Sequence, residues 1–108
     1  MSHRIIYTDR AVAEIREAME WWRDNRSTEQ AARWISEIFP AIDALQDDPE
    51  RFPLAAETEL HPQGLRQLLF GVGRSITHRV IFTIDGSEVW VLTVRHVARR
   101  ELRAEDLT

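Results

Sequence analysis

Apolar residues recur at spacings of three and four along the first half of this chain and at alternate positions in its last third, a pattern that predicts helices followed by strands. Residues 3–7 read as a short strand, because Ile5, Ile6 and Tyr7 stand together ahead of Thr8 and Asp9, which suit a helix start. A helix then runs to about residue 25. Val12, Ile15, Met19 and Trp22 form its apolar stripe, Ala11 and Ala18 widen it, and Arg16, Glu17, Glu20 and Arg23 face elsewhere. Ser27 followed three residues later by Gln30 has the capping-box spacing and opens a second helix. The apolar face of that helix holds Ala31, Trp34 with Ile35, Ile38, Ile42 and Leu45. Pro40 lacks a backbone donor and crowds the preceding turn, so a kink is expected there, with the helix stopping before Pro49. The short connection between the two helices predicts an antiparallel hairpin.

Residues 47–64 carry Pro49, Pro53, Pro62 and Gly64 without periodicity and read as a connecting loop. Three strands are predicted after it, at 65–70, 76–84 and 88–94, rich in Val, Ile, Leu, Phe and Trp. They are divided by Gly71-Val72-Gly73-Arg74-Ser75 and by Asp85-Gly86, the latter a hairpin signal. The expected fold is therefore α+β in the order β-α-α-β-β-β. An N-terminal strand and a helical hairpin pack on one face of a mainly antiparallel sheet, in a single domain over residues 1–108.

Composition narrows the chemistry. The 108 residues are 44% hydrophobic and 30% charged, a balance that folds, and the absence of cysteine leaves stability to packing alone. No run approaches the roughly 18 apolar residues that span a bilayer, so a cytoplasmic address and no membrane contact are expected. All fourteen basic residues are arginine, yet the formal charge is −4, which opposes a broad electrostatic grip on nucleic acid. His61 and His78 share no spacing that converges on a metal, and no metal or other cofactor is expected. Gly71-Val72-Gly73 is too short for a phosphate cradle and reads as a turn.

Several residue groups, weak singly, together carry a likeness along nearly the whole chain. These are Trp21-Trp22 closing the first helix, Ala31-Ala32 with Ile38 and Leu45 before Pro49, and Gly64-Leu65-Arg66. His78-Arg79-Val80-Ile81-Phe82 follows, then Val91-Leu92-Thr93-Val94-Arg95-His96 and Arg99-Arg100. In that order they resemble the RelE/ParE toxin superfamily of type II toxin–antitoxin systems, whose members include plasmid stabilisation proteins. The resemblance implies a toxin neutralised by a cognate antitoxin encoded by a neighbouring gene. It also implies one of two unlike activities, inhibition of DNA gyrase or ribosome-dependent cutting of messenger RNA. A decayed toxin that retains only antitoxin binding is a third possibility, and the oligomeric state stays open.

For an RNA-cutting member the resemblance implies Arg66, Arg79 and His96 as the site, two arginines for phosphate and a histidine for proton transfer. Each also has a structural reading. Arg79 alternates with Thr77, Ile81 and Thr83, which puts it on the sheet face away from the helices, where it would pair with a carboxylate. Arg66 alternates with Leu68 and Phe70 in the same way, and His96 fits a strand-end hydrogen bond. The acidic balance, the missing lysines and the placement of the only tyrosine at position 7, far from His96, favour the gyrase branch, which is not enzymatic. Trp21 and Trp22 cannot share a helix face, so one is expected in the core and the other exposed. Trp21 with Arg95, Arg99 and Arg100 forms the expected antitoxin-binding set. Those arginines belong to a basic tail interleaved with Glu101, Glu105 and Asp106, whose alternative is a solvated short helix.

Overall fold

The computed structural model describes residues 2–107. Strand β1 (Arg4–Tyr7) leads into helices α1 (Asp9–Asn25) and α2 (Thr28–Asp43), and strands β2 (Arg66–Phe70), β3 (His78–Asp85) and β4 (Glu88–His96) follow. The sheet order is β1-β4-β3-β2. β1 lies parallel to β4, and the other pairs are antiparallel.

Thr8 makes the first corner. Its amide donates to the Val91 carbonyl at 3.1 Å, and its hydroxyl donates to the Leu92 carbonyl at 2.9 Å. The same oxygen accepts from the Ala11 amide at 3.1 Å, which satisfies one of the free donors that every helix start leaves. The N-cap is thereby tied to the sheet. Ser27 caps α2 by accepting from the Gln30 amide at 3.1 Å; its own amide donates to the Trp22 carbonyl, so only half of the capping box forms. α2 continues through Pro40 to Asp43 and then tightens into a 3-10 turn at Ala44–Gln46, which keeps Leu45 on the buried face.

The main core lies between the helical hairpin and one face of the sheet. Ala11, Ile15, Trp34, Ile38, Ile42 and Leu45 meet Phe70, Val80, Phe82, Val89, Val91 and Val94. Val12, expected on the apolar stripe, is instead 44% exposed, because α1 turns Ala11 and Ile15 to the sheet and the stripe is narrower than the sequence suggests. The β3–β4 turn is Gly86–Ser87, one residue later than Asp85-Gly86: Asp85 pairs with Glu88, and Gly86 takes the left-handed φ of +59° that the first turn position needs.

The opposite sheet face is also covered. Ile81 and Leu92 point away from the helices into a second core with Ala55, Leu65 and Leu102, flanked by Trp90 and Leu107. Its cover is the loop after α2 together with the C-terminal tail, which ends in a 3-10 turn at Ala104–Leu107. The tail is therefore not a solvated helix. Among the described residues no helix is long and apolar enough to cross a membrane.

Candidate functional site

Alternation along the strands decides which of the expected site residues can meet. Arg66 stands opposite Phe82, so it shares the helix-side face with Leu68 and Phe70. Its guanidinium donates to the Glu50 and Phe52 carbonyls at 3.0 and 2.6 Å, and so fastens the loop that leaves α2. His96 also lies on the helix side, opposite His78, but at the other end of the sheet. The partners of Arg66 and His96 on β3, Phe82 and His78, are four residues apart, which is about 13 Å along a strand. Arg79 is on the reverse face beside Ile81. The three residues expected to form a phosphate and proton-transfer site are therefore not brought together.

Each of the three has a structural partner instead. Arg79 donates to both carboxylate oxygens of Glu57 at 2.6 and 3.0 Å, and to Gln67 Oε1 at 3.1 Å. The pair is nearly dry, with the Arg79 and Glu57 side chains 13% and 4% exposed. Glu57 also accepts from the Leu102 amide at 3.0 Å, which anchors the tail to the loop. Hydrogen bonds from Arg79, opposed by burial and aided by the Leu102 amide, hold the Glu57 carboxyl at about 2. His96 is exposed, and its Nδ1 accepts from the Ala98 amide at 3.0 Å.

His78, which the sequence offers within the 78–82 motif and without a metal-ligand spacing, is the more constrained histidine. Its ring packs edge-on between Trp34, 5.1 Å away, and His96, 5.5 Å away, and its Nδ1 lies 2.8 Å from the Thr77 hydroxyl. Burial, with the nearby His96 as a second cause, pushes it down to about 4. It stays neutral near pH 7 and has no charge to offer a substrate.

The expected antitoxin-binding set divides likewise. Trp21 is 50% exposed on α1, and its ring meets Trp22 edge-on at 5.3 Å, while Trp22 packs against the core. Arg99 and Arg100 are at the surface. Arg95 is not: its side chain is 1% exposed, 3.5 Å from Asp106, and donates to the Arg100 carbonyl at 2.9 Å. With the tail docked it presents nothing to a partner. The arginines that follow it in the sequence, Arg99 and Arg100, are outward, but β4 continues through His96 and turns Arg95 inward.

Asp106 gathers these charges. It accepts from both terminal nitrogens of Arg100 at 2.8 and 3.1 Å and from the Arg103 amide at 2.8 Å. Those bonds hold its carboxyl far below the usual range. Glu14 reaches from α1 to accept from the Thr93 hydroxyl at 2.6 Å and the Val94 amide at 3.2 Å, on the edge of β4 that β1 no longer covers beyond Val91. Neither Glu57 nor Glu14 stands out in the sequence, since nothing in its pattern tells a carboxylate that folds inward from one in water. Among the described residues no group of three or more His, Asp or Glu side chains is placed to hold a metal.

Against known proteins, residues 5–101 match a family model described as the ParE toxin of the type II toxin–antitoxin system parDE. No curated protein matches the sequence. A solved structure titled as the chromosomal ParDE TA system from P. aeruginosa is similar in fold. Its TM-score is 0.70 at 18% identity, over 89% of this chain and 97% of that one.

Proposed function

This chain belongs to the ParE toxin family and is the toxin component of a type II toxin–antitoxin system; on that premise we propose that it disables a protein target, DNA gyrase, and is silenced by a cognate antitoxin encoded beside it. The observation that carries the choice of target class is the dispersal of Arg66, Arg79 and His96 over two faces and two ends of the sheet, each tied to a structural partner. Cutting RNA at a 2′-hydroxyl needs a base, an acid and cations around one phosphate, and these residues supply no such point. The formal charge of −4 works in the same direction. An antitoxin partner is supported by the P. aeruginosa structure, which by its title is a toxin–antitoxin system. On this chain the surface side chains Trp21, Arg99 and Arg100 are the proposed contacts, and Arg95 is set aside.

Purified toxin freed of its antitoxin, added to gyrase and relaxed plasmid, tests the reading directly. Supercoiling should stop, messenger RNA on ribosomes should stay intact, and the Arg66→Ala, His96→Ala double variant should remain inhibitory. RNA cut in phase with codons, and lost in that variant, would overturn the proposal in favour of a ribonuclease. A folded, antitoxin-free sample that did neither would overturn it in favour of a toxin that has lost its activity.

A further inference from the structure

Two arginines stand side by side on the reverse face of the sheet, because Arg79 pairs with Arg95 in the register of β3 and β4. Arg79 has both oxygens of Glu57 as its counter-ion. Arg95 is worse served. A guanidinium donates from all three nitrogens, and here the side chain is only 1% exposed. Nη2 donates to the Arg100 carbonyl at 2.9 Å, Nη1 stands 3.5 Å from Asp106, and Nε meets no acceptor among the described residues. Asp106 spends its short bonds on Arg100, at 2.8 and 3.1 Å, and on the Arg103 amide, at 2.8 Å. Burial first, then the nearby Arg99, work against the Arg95 charge, with Asp106 and Glu14 opposing them. A cation buried with so little pairing destabilises the arrangement that buries it.

That arrangement is the C-terminal tail. Asp106 closes residues 100–106 on themselves through Arg100 and Arg103, so the tail keeps its own shape. It meets the rest of the fold through Leu102 and Leu107 in the second core, the Leu102 amide on Glu57, and the Arg100 carbonyl on Arg95. Its joint to β4 is a turn, where the Ala98 and Arg99 amides donate to His96 Nδ1 and to the His96 carbonyl. Glu57 keeps Arg79 whether or not the tail is present, so the sheet does not need its cover. We propose that residues 98–107 are a strap that opens as a unit while the sheet stays folded, and that the buried charge of Arg95 favours the open form. Opening returns the guanidinium to water and uncovers Leu65, Ile81 and Leu92 around it, a surface that the closed strap withholds from other proteins. The device does not depend on what the toxin acts on.

Hydrogen exchange of the intact folded protein, followed amide by amide by NMR at low urea concentrations, is the test. The amides of Leu102 and Asp106 should share one opening equilibrium and exchange about a hundredfold or more faster than those of β3. Their exchange should depend only weakly on urea, because opening a strap exposes little surface, whereas that of β3 should depend steeply. Arg95→Met, which keeps the bulk and removes the charge, should slow the Leu102 amide about tenfold. Asp106→Asn, which loosens the strap and takes away the carboxylate nearest Arg95, should quicken it by a similar factor. Strap amides that exchange as slowly as those of β3, with the same urea dependence, would overturn the strap. Unchanged or faster exchange of Leu102 in a folded Arg95→Met variant would overturn the part given to Arg95; should that variant not fold, unchanged exchange in Asp106→Asn would do so.

Discussion

Glu57 and Arg79 face each other through both carboxylate oxygens, at 2.6 and 3.0 Å, across the join between the loop and the reverse face of the sheet. That pair turns a residue expected at a catalytic site into a structural anchor. Through the Leu102 amide it also holds the tail that closes the second core.

Removing one partner of this pair should be far worse than removing both. Glu57→Leu leaves a guanidinium buried without its counter-ion and should lower unfolding free energy by about 3–5 kcal/mol, whereas Glu57→Leu with Arg79→Met should recover much of that loss. Urea unfolding of the two single variants and the double variant closes the cycle. Additive losses would show that the two residues do not act as a pair.

Acid should weaken the fold in two stages. His78 falls from 6.5 to about 4 in the folded chain, so between those values the unfolded chain takes up a proton that the folded one refuses. The histidine's contribution is complete above pH 6.5 and is lost as pH falls to about 4, at most about 3 kcal/mol for a shift of this size. Glu57, lowered from 4.5 to about 2, acts in the next window: its contribution is present above pH 4.5 and is lost as pH falls to about 2. Melting temperature measured against pH should decline from 6.5 downward in the parent, and His78→Phe should flatten the upper stage while leaving the lower.

Two glycines should respond to alanine differently. At Gly71 the added methyl overlaps the Ser75 backbone, so Gly71→Ala must move the β2–β3 turn and should cost about 2 kcal/mol or more. Gly86 has open space around it and a φ of +59°, so Gly86→Ala should cost only about 1 kcal/mol of left-handed strain. Thermal melts of the two variants rank them, and a milder effect at Gly71 would contradict the close approach of the Ser75 backbone.

Trp21 is the aromatic side chain best placed to anchor a partner, being half-exposed with its neighbour Trp22 holding the ring edge-on. Trp21→Ala should weaken the antitoxin complex by about 2 kcal/mol, the range of interface hot spots, and leave the circular dichroism spectrum unchanged. Calorimetric titration with the co-expressed antitoxin measures it; an unchanged affinity would place the interface elsewhere.

Much of this molecule was legible in the chain. Thr8 and Ser27 mark both helix starts, the spacing from Ala31 to Leu45 names the buried side of α2, and alternation finds β2, β3 and β4. These are local properties, since a helix or strand repeats with a fixed period and caps act within one turn.

Partnership across the fold is another matter. The sequence puts Arg66, Arg79 and His96 on consecutive strands and alternation turns Arg79 from the helices, but only the pairing of Arg66 with Phe82, and of His78 with His96, reveals that Arg66 and His96 lie on the helix side at opposite ends of the sheet. It makes Arg95 one of a run of exposed cations, yet β4 extends far enough to turn that side chain inward onto Asp106. Local periodicity tells which side of an element is apolar, and that was enough for the elements and their order. What the reverse face of the sheet meets is set by a loop and a tail with no period of their own, so Glu57, Leu102 and Asp106 acquire their roles only when the tertiary structure brings them together.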